Sequence, residues 1–146
     1  MRNGLFFFRR MKKIAPALER RLKKAARAAA EKSYSPYSKF PVGAAILAGS
    51  GKVYSACNVE NASLGLCNCA ERAAIFAAVA NGEREVRCVV VFTPTKTASP
   101  PCGACRQVIH EFGPQARILS ICDTASQIDT TLDMLLPQAF TPKNLA

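Results

Sequence analysis

Two short stretches carry residue types whose chemistries fit together: Cys69-Ala70-Glu71 and Pro101-Cys102-Gly103-Ala104-Cys105. Three thiolates form a soft donor set that suits zinc, and three protein ligands leave the fourth tetrahedral position open to water. A carboxylate beside that water is what general acid–base chemistry needs. Cys102 and Cys105 are spaced by one helical turn, so a helix starting there turns both sulfurs to one face. Helix N-termini also favour thiolate over thiol, through unpaired N–H groups and the positive end of the dipole. Glu71 follows Cys69 too closely to bind the same metal easily, so its carboxylate is expected to point into the open position as the catalytic base and acid. Three thiolates and one Zn²⁺ sum to a single negative charge. Arg72 is expected to offset it by donating hydrogen bonds to the sulfurs, its other reading being a surface ion pair. The pattern is that of a zinc hydrolase.

These stretches need elements to hold them. From Ile14 to Lys32 the apolar positions Ile14, Leu18, Leu22, Ala25, Ala26 and Ala29 fall at helical spacing, with Pro16 in the first turn. Phe40 to Leu47 reads as a buried strand, with Gly43-Ala44-Ala45 small where another element must approach. Ala48-Gly49-Ser50-Gly51 is a hairpin turn into a second strand from Lys52 to Cys57. Asn58 to Asn68 is a loop, and a helix from about Cys69 to Ala80 stops at Asn81-Gly82. Val86 to Thr93 is a strand buried on both faces, ended by Pro94. A helix over Cys102 to Phe112, a strand over Arg117 to Cys122 and a helical turn over Leu132 to Leu136 complete the pattern. The alternation predicts an α/β fold, a three-layer α/β/α sandwich with a mixed, roughly five-stranded sheet.

Composition sets limits on function. The 146 residues suffice for one core, and no apolar run approaches a bilayer span, so no membrane partner is expected. The net charge of +10 sits almost wholly in residues 1–32, which hold 11 Lys/Arg against 2 Glu, while residues 33–146 hold 9 against 8. A nearly neutral body has no grip on a phosphate backbone, so no nucleic-acid partner is expected either. Residues 1–13 are read as a basic, flexible extension, with a transit peptide as the other reading, and residues 14–146 as a single catalytic domain. Seven cysteines without a secretory signal favour reduced thiols and a cytoplasmic protein.

Other readings stand beside the catalytic one. Cys102-Gly103-Ala104-Cys105 also fits a redox pair, although that leaves Cys69-Ala70-Glu71 unexplained. Cys67 offers a fourth ligand for a purely structural zinc site. Cys57, Cys88 and Cys122 read as core thiols, and His110, the only histidine, as a packing or surface residue.

Zinc nucleobase deaminases combine a Cys₃ or His/Cys₂ zinc, a non-ligand Glu and a P-C-x-x-C element. The chain resembles the short, single-domain cytidine deaminases from about Leu18 to Phe140. The matching stretches are 37–45, 58–63, Cys69-Ala70-Glu71-Arg72, 101–107 and Leu135-Leu136-Pro137-Gln138-Ala139-Phe140. The resemblance implies that Cys69, Cys102 and Cys105 hold one zinc per chain and that Glu71 is the proton shuttle. It further implies that the Ala70 backbone contacts the pyrimidine edge, that Asn58 and Glu60 bind the ribose hydroxyls, and that Phe40 packs on the base. The short family members are similar homotetramers, a dimer being the lesser alternative, in which a C-terminal aromatic, here Phe140, reaches a neighbour's site. Leu64 departs from the Tyr or similar residue that relatives usually carry in a loop toward the adjacent site. The implied reaction is hydrolysis of cytidine and deoxycytidine to uridine and deoxyuridine with loss of ammonia, in pyrimidine salvage. A deaminase of the blasticidin S type and a non-catalytic zinc or redox module are its rivals.

Overall fold

A computed structural model describes residues 13–146; the N-terminal extension lies, up to residue 12, outside the described residues. Five strands form one sheet in the order β2-β1-β3-β4-β5. Chain order runs α1 (Pro16–Ala30), β1 (Gly43–Ala48), β2 (Val53–Cys57), α2 (Ala70–Ala80), β3 (Val86–Phe92), α3 (Gly103–Phe112), β4 (Arg117–Ile121), β5 (Gln127–Thr131) and α4 (Leu132–Leu135). The β3–β4 pair is parallel and the other three pairs are antiparallel, so the sheet is mixed.

The two faces of the sheet carry separate cores. Leu22 and Ala26 of α1 pack with Ala45, Leu47, Val90, Leu119 and Ile121. On the other side Ile75 of α2 and Ile109 of α3 pack with Ile46, Val89, Val91 and Ile118. Alternate residues of β1, β3 and β4 therefore serve opposite cores, which is why these strands are apolar throughout. The predicted close approach at Gly43 is real: a Cβ there would lie 1.9 Å from the carbonyl oxygen of Ala26. Gly51, at φ +89°, turns the hairpin as expected.

Two elements differ from the sequence pattern. The first strand begins at Gly43 rather than Phe40. The Asn58 side chain takes the Val42 N–H and the Phe40 carbonyl, groups that a continuing ladder would have used. β5 has no apolar signature, because an edge strand reading Gln-Ile-Asp-Thr-Thr buries little. Its Asp129 meets Arg117 of β4 in a two-pronged ion pair, at 2.8 and 2.7 Å.

Candidate active site

Both chemistry-bearing stretches lie at helix N-termini on the α2/α3 side. Cys69 is the N-cap of α2 and Cys102 the N-cap of α3, each with an extended backbone and neither capping through its side chain. Ser, Thr, Asp or Asn would ordinarily stand there and bind the first turn. The thiols leave those positions free to bind something else. Cys105, one turn into α3, is fully buried.

The three sulfurs converge to within 4.8 Å of one another, and Cys69 Sγ lies 3.8 Å from Cys102 Sγ. Ligands at a Zn–S distance of about 2.3 Å on a tetrahedron are about 3.8 Å apart, so the donor set fits zinc in type and spacing. It is the only such cluster among the described residues. Hydrogen bonds from Cys105, Arg72 and Cys102 draw the Cys69 thiol down to about 5, while Cys105, the partner in that bond, is pushed upward. Arg72 donates from Nη2 to Cys69 Sγ at 3.5 Å, the charge-offsetting contact its sequence position suggests.

Glu71, at the second position of α2, is only 4 % exposed and lines the cavity beside the thiols. Burial pushes its carboxyl above the ordinary range, and the charge of Cys69 pushes the same way. Raising a carboxyl brings it closer to the range in which one group can both take and give a proton.

The cavity measures about 420 Å³. Phe40, Asn58, Glu60, Glu71, Cys69 and Cys102 all reach its wall, so six of the ten sequence-predicted residues meet in one place. Ala70 is buried behind the wall, and Arg72 and Cys105 lie in the shell around the sulfurs. Phe140 does not reach this cavity; it is 56 % exposed on a C-terminal segment that the Gln107 amide holds by both Phe140 N–H and C=O. Asn58 and Glu60 are also busy within the chain. Glu60 accepts from the N–H groups of Tyr37 and Ser38 and from Ser38 Oγ, which also holds its pKa below the usual carboxylate value.

Several functional positions carry weaker sequence signals. Thr93, Ser99 and Pro100 line the cavity at the C-terminal edge of β3, where ligands commonly bind in open α/β sheets. Arg106 donates from Nε to the Pro101 carbonyl and from Nη1 to that of Leu135, so it fixes the approach to Cys102. In the sequence it stands only within the matching stretch 101–107, directly after Cys105.

Cys67 also lines the cavity, but its Sγ accepts the Asn61 N–H at 3.3 Å and stands outside the three-sulfur cluster. A structural four-thiolate site is therefore not formed. A two-thiol redox pair gives no reason for a third sulfur. Cys88 and Cys122 are buried as expected, whereas Cys57 is only half-buried and donates to the Lys32 carbonyl.

Residues 17–121 match the family model for the cytidine and deoxycytidylate deaminase zinc-binding region. The chain is 45% identical over 119 residues to a cytidine deaminase of Sporosarcina psychrophila, covering 81% of this chain and 88% of that protein. It is 46% identical over 118 residues to one from Halalkalibacterium halodurans, covering 80% and 89%. The crystal structure of cytidine deaminase from Burkholderia pseudomallei superposes with a TM-score of 0.79 at 48% identity, covering 83% of this chain and 98% of that one.

Proposed function

Because the chain belongs to the family of zinc-binding cytidine and deoxycytidylate deaminases, we propose that its cavity takes cytidine, and deoxycytidine with it, and hydrolyses the C4–amino bond. The observation that carries this reading is Glu71, a buried carboxyl on the wall of a nucleoside-sized cavity beside three convergent thiols. Cys69, Cys102 and Cys105 are the residues that would hold zinc, one ion per chain. Bound there, zinc supplies Lewis-acid activation of water at neutral pH.

The chain's own groups do the rest. Glu71 takes a proton from the attacking water as the water oxygen bonds to C4, and delivers it to N3. It then moves the second proton to the amino nitrogen as the C4–N bond breaks, leaving uridine and ammonia. Phe40 offers its ring to the base, the Ala70 backbone meets the pyrimidine edge, and Asn58 and Glu60 read the sugar. A missing sugar hydroxyl leaves the one remaining Asn58 Nδ2–H without its partner, which disfavours the free base. Arg72 keeps the thiolate cluster electrically balanced.

The reading extends to the whole chain. Residues 14–146 act as one catalytic domain, in the cytoplasm, where thiols stay reduced. The working form is a homotetramer. Supporting this, α2 is apolar on nearly every side, and its Phe76 is half-exposed next to Ala77 and Ala80. Leu64 and Leu66 stand out at 72% and 69% exposure, and Phe140 is free to reach a neighbour's cavity. A dimer is the alternative that light scattering would separate.

The deciding experiment follows cytidine absorbance with purified, zinc-assayed protein. Loss of the cytidine band supports the proposal. No loss at one zinc per chain sends the search to other aminopyrimidine nucleosides, and no loss without zinc returns the C-x-x-C to redox chemistry.

A further inference from the structure

Asn58 is held from three sides. Its Oδ1 accepts the Val42 N–H at 2.8 Å and the Ser33 hydroxyl at 2.5 Å, and its Nδ2 donates to the Phe40 carbonyl at 2.8 Å. A flipped amide would set Nδ2 against the Val42 N–H and Oδ1 against the Phe40 carbonyl, so the two backbone groups fix which way the amide faces. Ser33 is the one side chain in this frame. A carboxamide offers two acceptor sites on oxygen and two hydrogens on nitrogen. Both acceptor sites and one hydrogen are spent inside the chain. Asn58 is left with a single valence, one Nδ2–H, on a residue that lines the cavity.

The backbone around Ser33 is built to hold that hydroxyl in place. Ser33 N–H donates to the Ala30 carbonyl at the end of α1. Next to it, Tyr34 N–H donates to the Asn58 carbonyl at 3.1 Å, and Glu60 N–H returns to the Tyr34 carbonyl at 2.8 Å. The end of α1 is thus docked alongside the 58–60 stretch.

We propose that Ser33 is a positioning residue for nucleoside binding, which acts by filling the second acceptor site of Asn58 Oδ1 and so presents Asn58 to the sugar purely as a donor. The proposal rests on the assignment of Asn58 to the sugar. Without the Ser33 hydroxyl, Oδ1 regains an open acceptor site that water or a sugar hydroxyl can take, and Asn58 no longer faces the sugar purely as a donor. Ser33 touches neither base nor water, so its effect belongs in KM.

The test compares Ser33→Ala and Ser33→Thr on cytidine and on 2′,3′-dideoxycytidine, which lacks the 2′ and 3′ hydroxyls. Ser33→Ala is expected to raise KM for cytidine roughly three- to tenfold, the range for one hydrogen bond, with kcat nearly unchanged. kcat/KM for the dideoxy analogue should stay put, Ser33→Thr should restore cytidine binding, and in an Asn58→Ala background Ser33→Ala should add nothing. If Ser33→Ala fails to fold, near-isosteric Ser33→Cys, with a weaker donor, should show a smaller rise with the same dependence on the sugar. Equal losses on both nucleosides, or full additivity with Asn58→Ala, would overturn the proposal and leave Ser33 a structural residue. Absence of cytidine turnover by the wild type overturns the parent reading of the cavity, which is a different failure.

Discussion

On the α1 side of the sheet, Cys88 is packed in the core with Leu22, Ala26 and Leu119, and burial pushes its thiol up to about 12. On the α2/α3 side Cys69, at a helix N-terminus with Arg72 and two further thiols around it, is drawn down to about 5. Carboxyls are treated the opposite way. Glu19 on α1 lies between Lys23 at 2.7 Å and Arg117 at 2.8 Å, and those bonds hold its pKa below the ordinary value. Glu71 is buried without such a cation bonded to it and is raised. On one face burial keeps a thiol neutral and two cations favour a carboxylate; on the other a thiolate is favoured and a buried carboxyl is raised. Perturbation alone marks neither face as functional, since ion-pair networks perturb pKa values too. The direction of each shift, joined to a cavity, separates the two.

The comparison breaks most sharply if the two glutamates turn out to be equivalent. Glu71→Ala should lower cytidine turnover by about 10² to 10⁴ or more, while metal analysis still finds one zinc per chain. Glu19→Ala should keep turnover. A Glu71 variant with near-normal rate ends its assignment as the proton carrier. The thiols give the next largest contrast. Cys105→Ala should lose zinc, and with it turnover, whereas Cys88→Ala should keep both and lose roughly 1 kcal/mol from the small cavity it leaves. Zinc retained in full by Cys105→Ala would remove that sulfur from the ligand set.

Arg117→Ala tests the opposite face. It strands Asp129 and leaves Glu19 with Lys23 alone, and should lower unfolding free energy by roughly 1–2 kcal/mol in urea. kcat/KM at a temperature where the variant is folded should not move. A specific loss of activity would mean that the two faces communicate, contrary to their separate cores.

The chemistry of the site was more legible in the sequence than its frame was. The convergence of Cys69, Cys102 and Cys105 could be expected because metal ligation demands particular atoms at particular spacings, and Glu71 followed as the carboxyl beside them. The strands that bury both faces were equally plain, since an unbroken apolar run such as Val89-Val90-Val91-Phe92 has few other uses. β5 escaped the pattern because it is an edge strand held by its ladder to β4 and by the Arg117–Asp129 pair, and pairing across strands leaves no local periodicity. The roles of Arg106, Gln107 and Ser33 escaped for a related reason, although the first two stand in the matching stretch 101–107. Each acts on a backbone or amide group far along the chain, from Arg106 to Leu135, from Gln107 to Phe140 and from Ser33 to Asn58. The quoted motifs place Asn58 and Glu60 at the cavity, but not the fact that most of their hydrogen-bonding capacity is already used by the chain.

The smallest expected effect lies in the pH dependence of stability, and its signs on the α1 face are fixed by the shifts there. Glu19 has a lowered folded pKa, so its contribution is complete above its unfolded value of about 4.3 and fades as pH falls through the folded one. Cys88 has a raised folded pKa. Its neutral form is kept in the fold while the unfolded thiol ionises above about 8.5, so stability declines from there toward pH 12. Urea titrations across pH should therefore show an acid limb that flattens in Glu19→Gln and an alkaline limb that flattens in Cys88→Ala. An alkaline limb unchanged by Cys88→Ala would mean that this thiol is not kept neutral by its burial. The contrast with Cys69 would then reduce to the presence of zinc donors on one side, rather than to opposite treatment of the same group by the two cores.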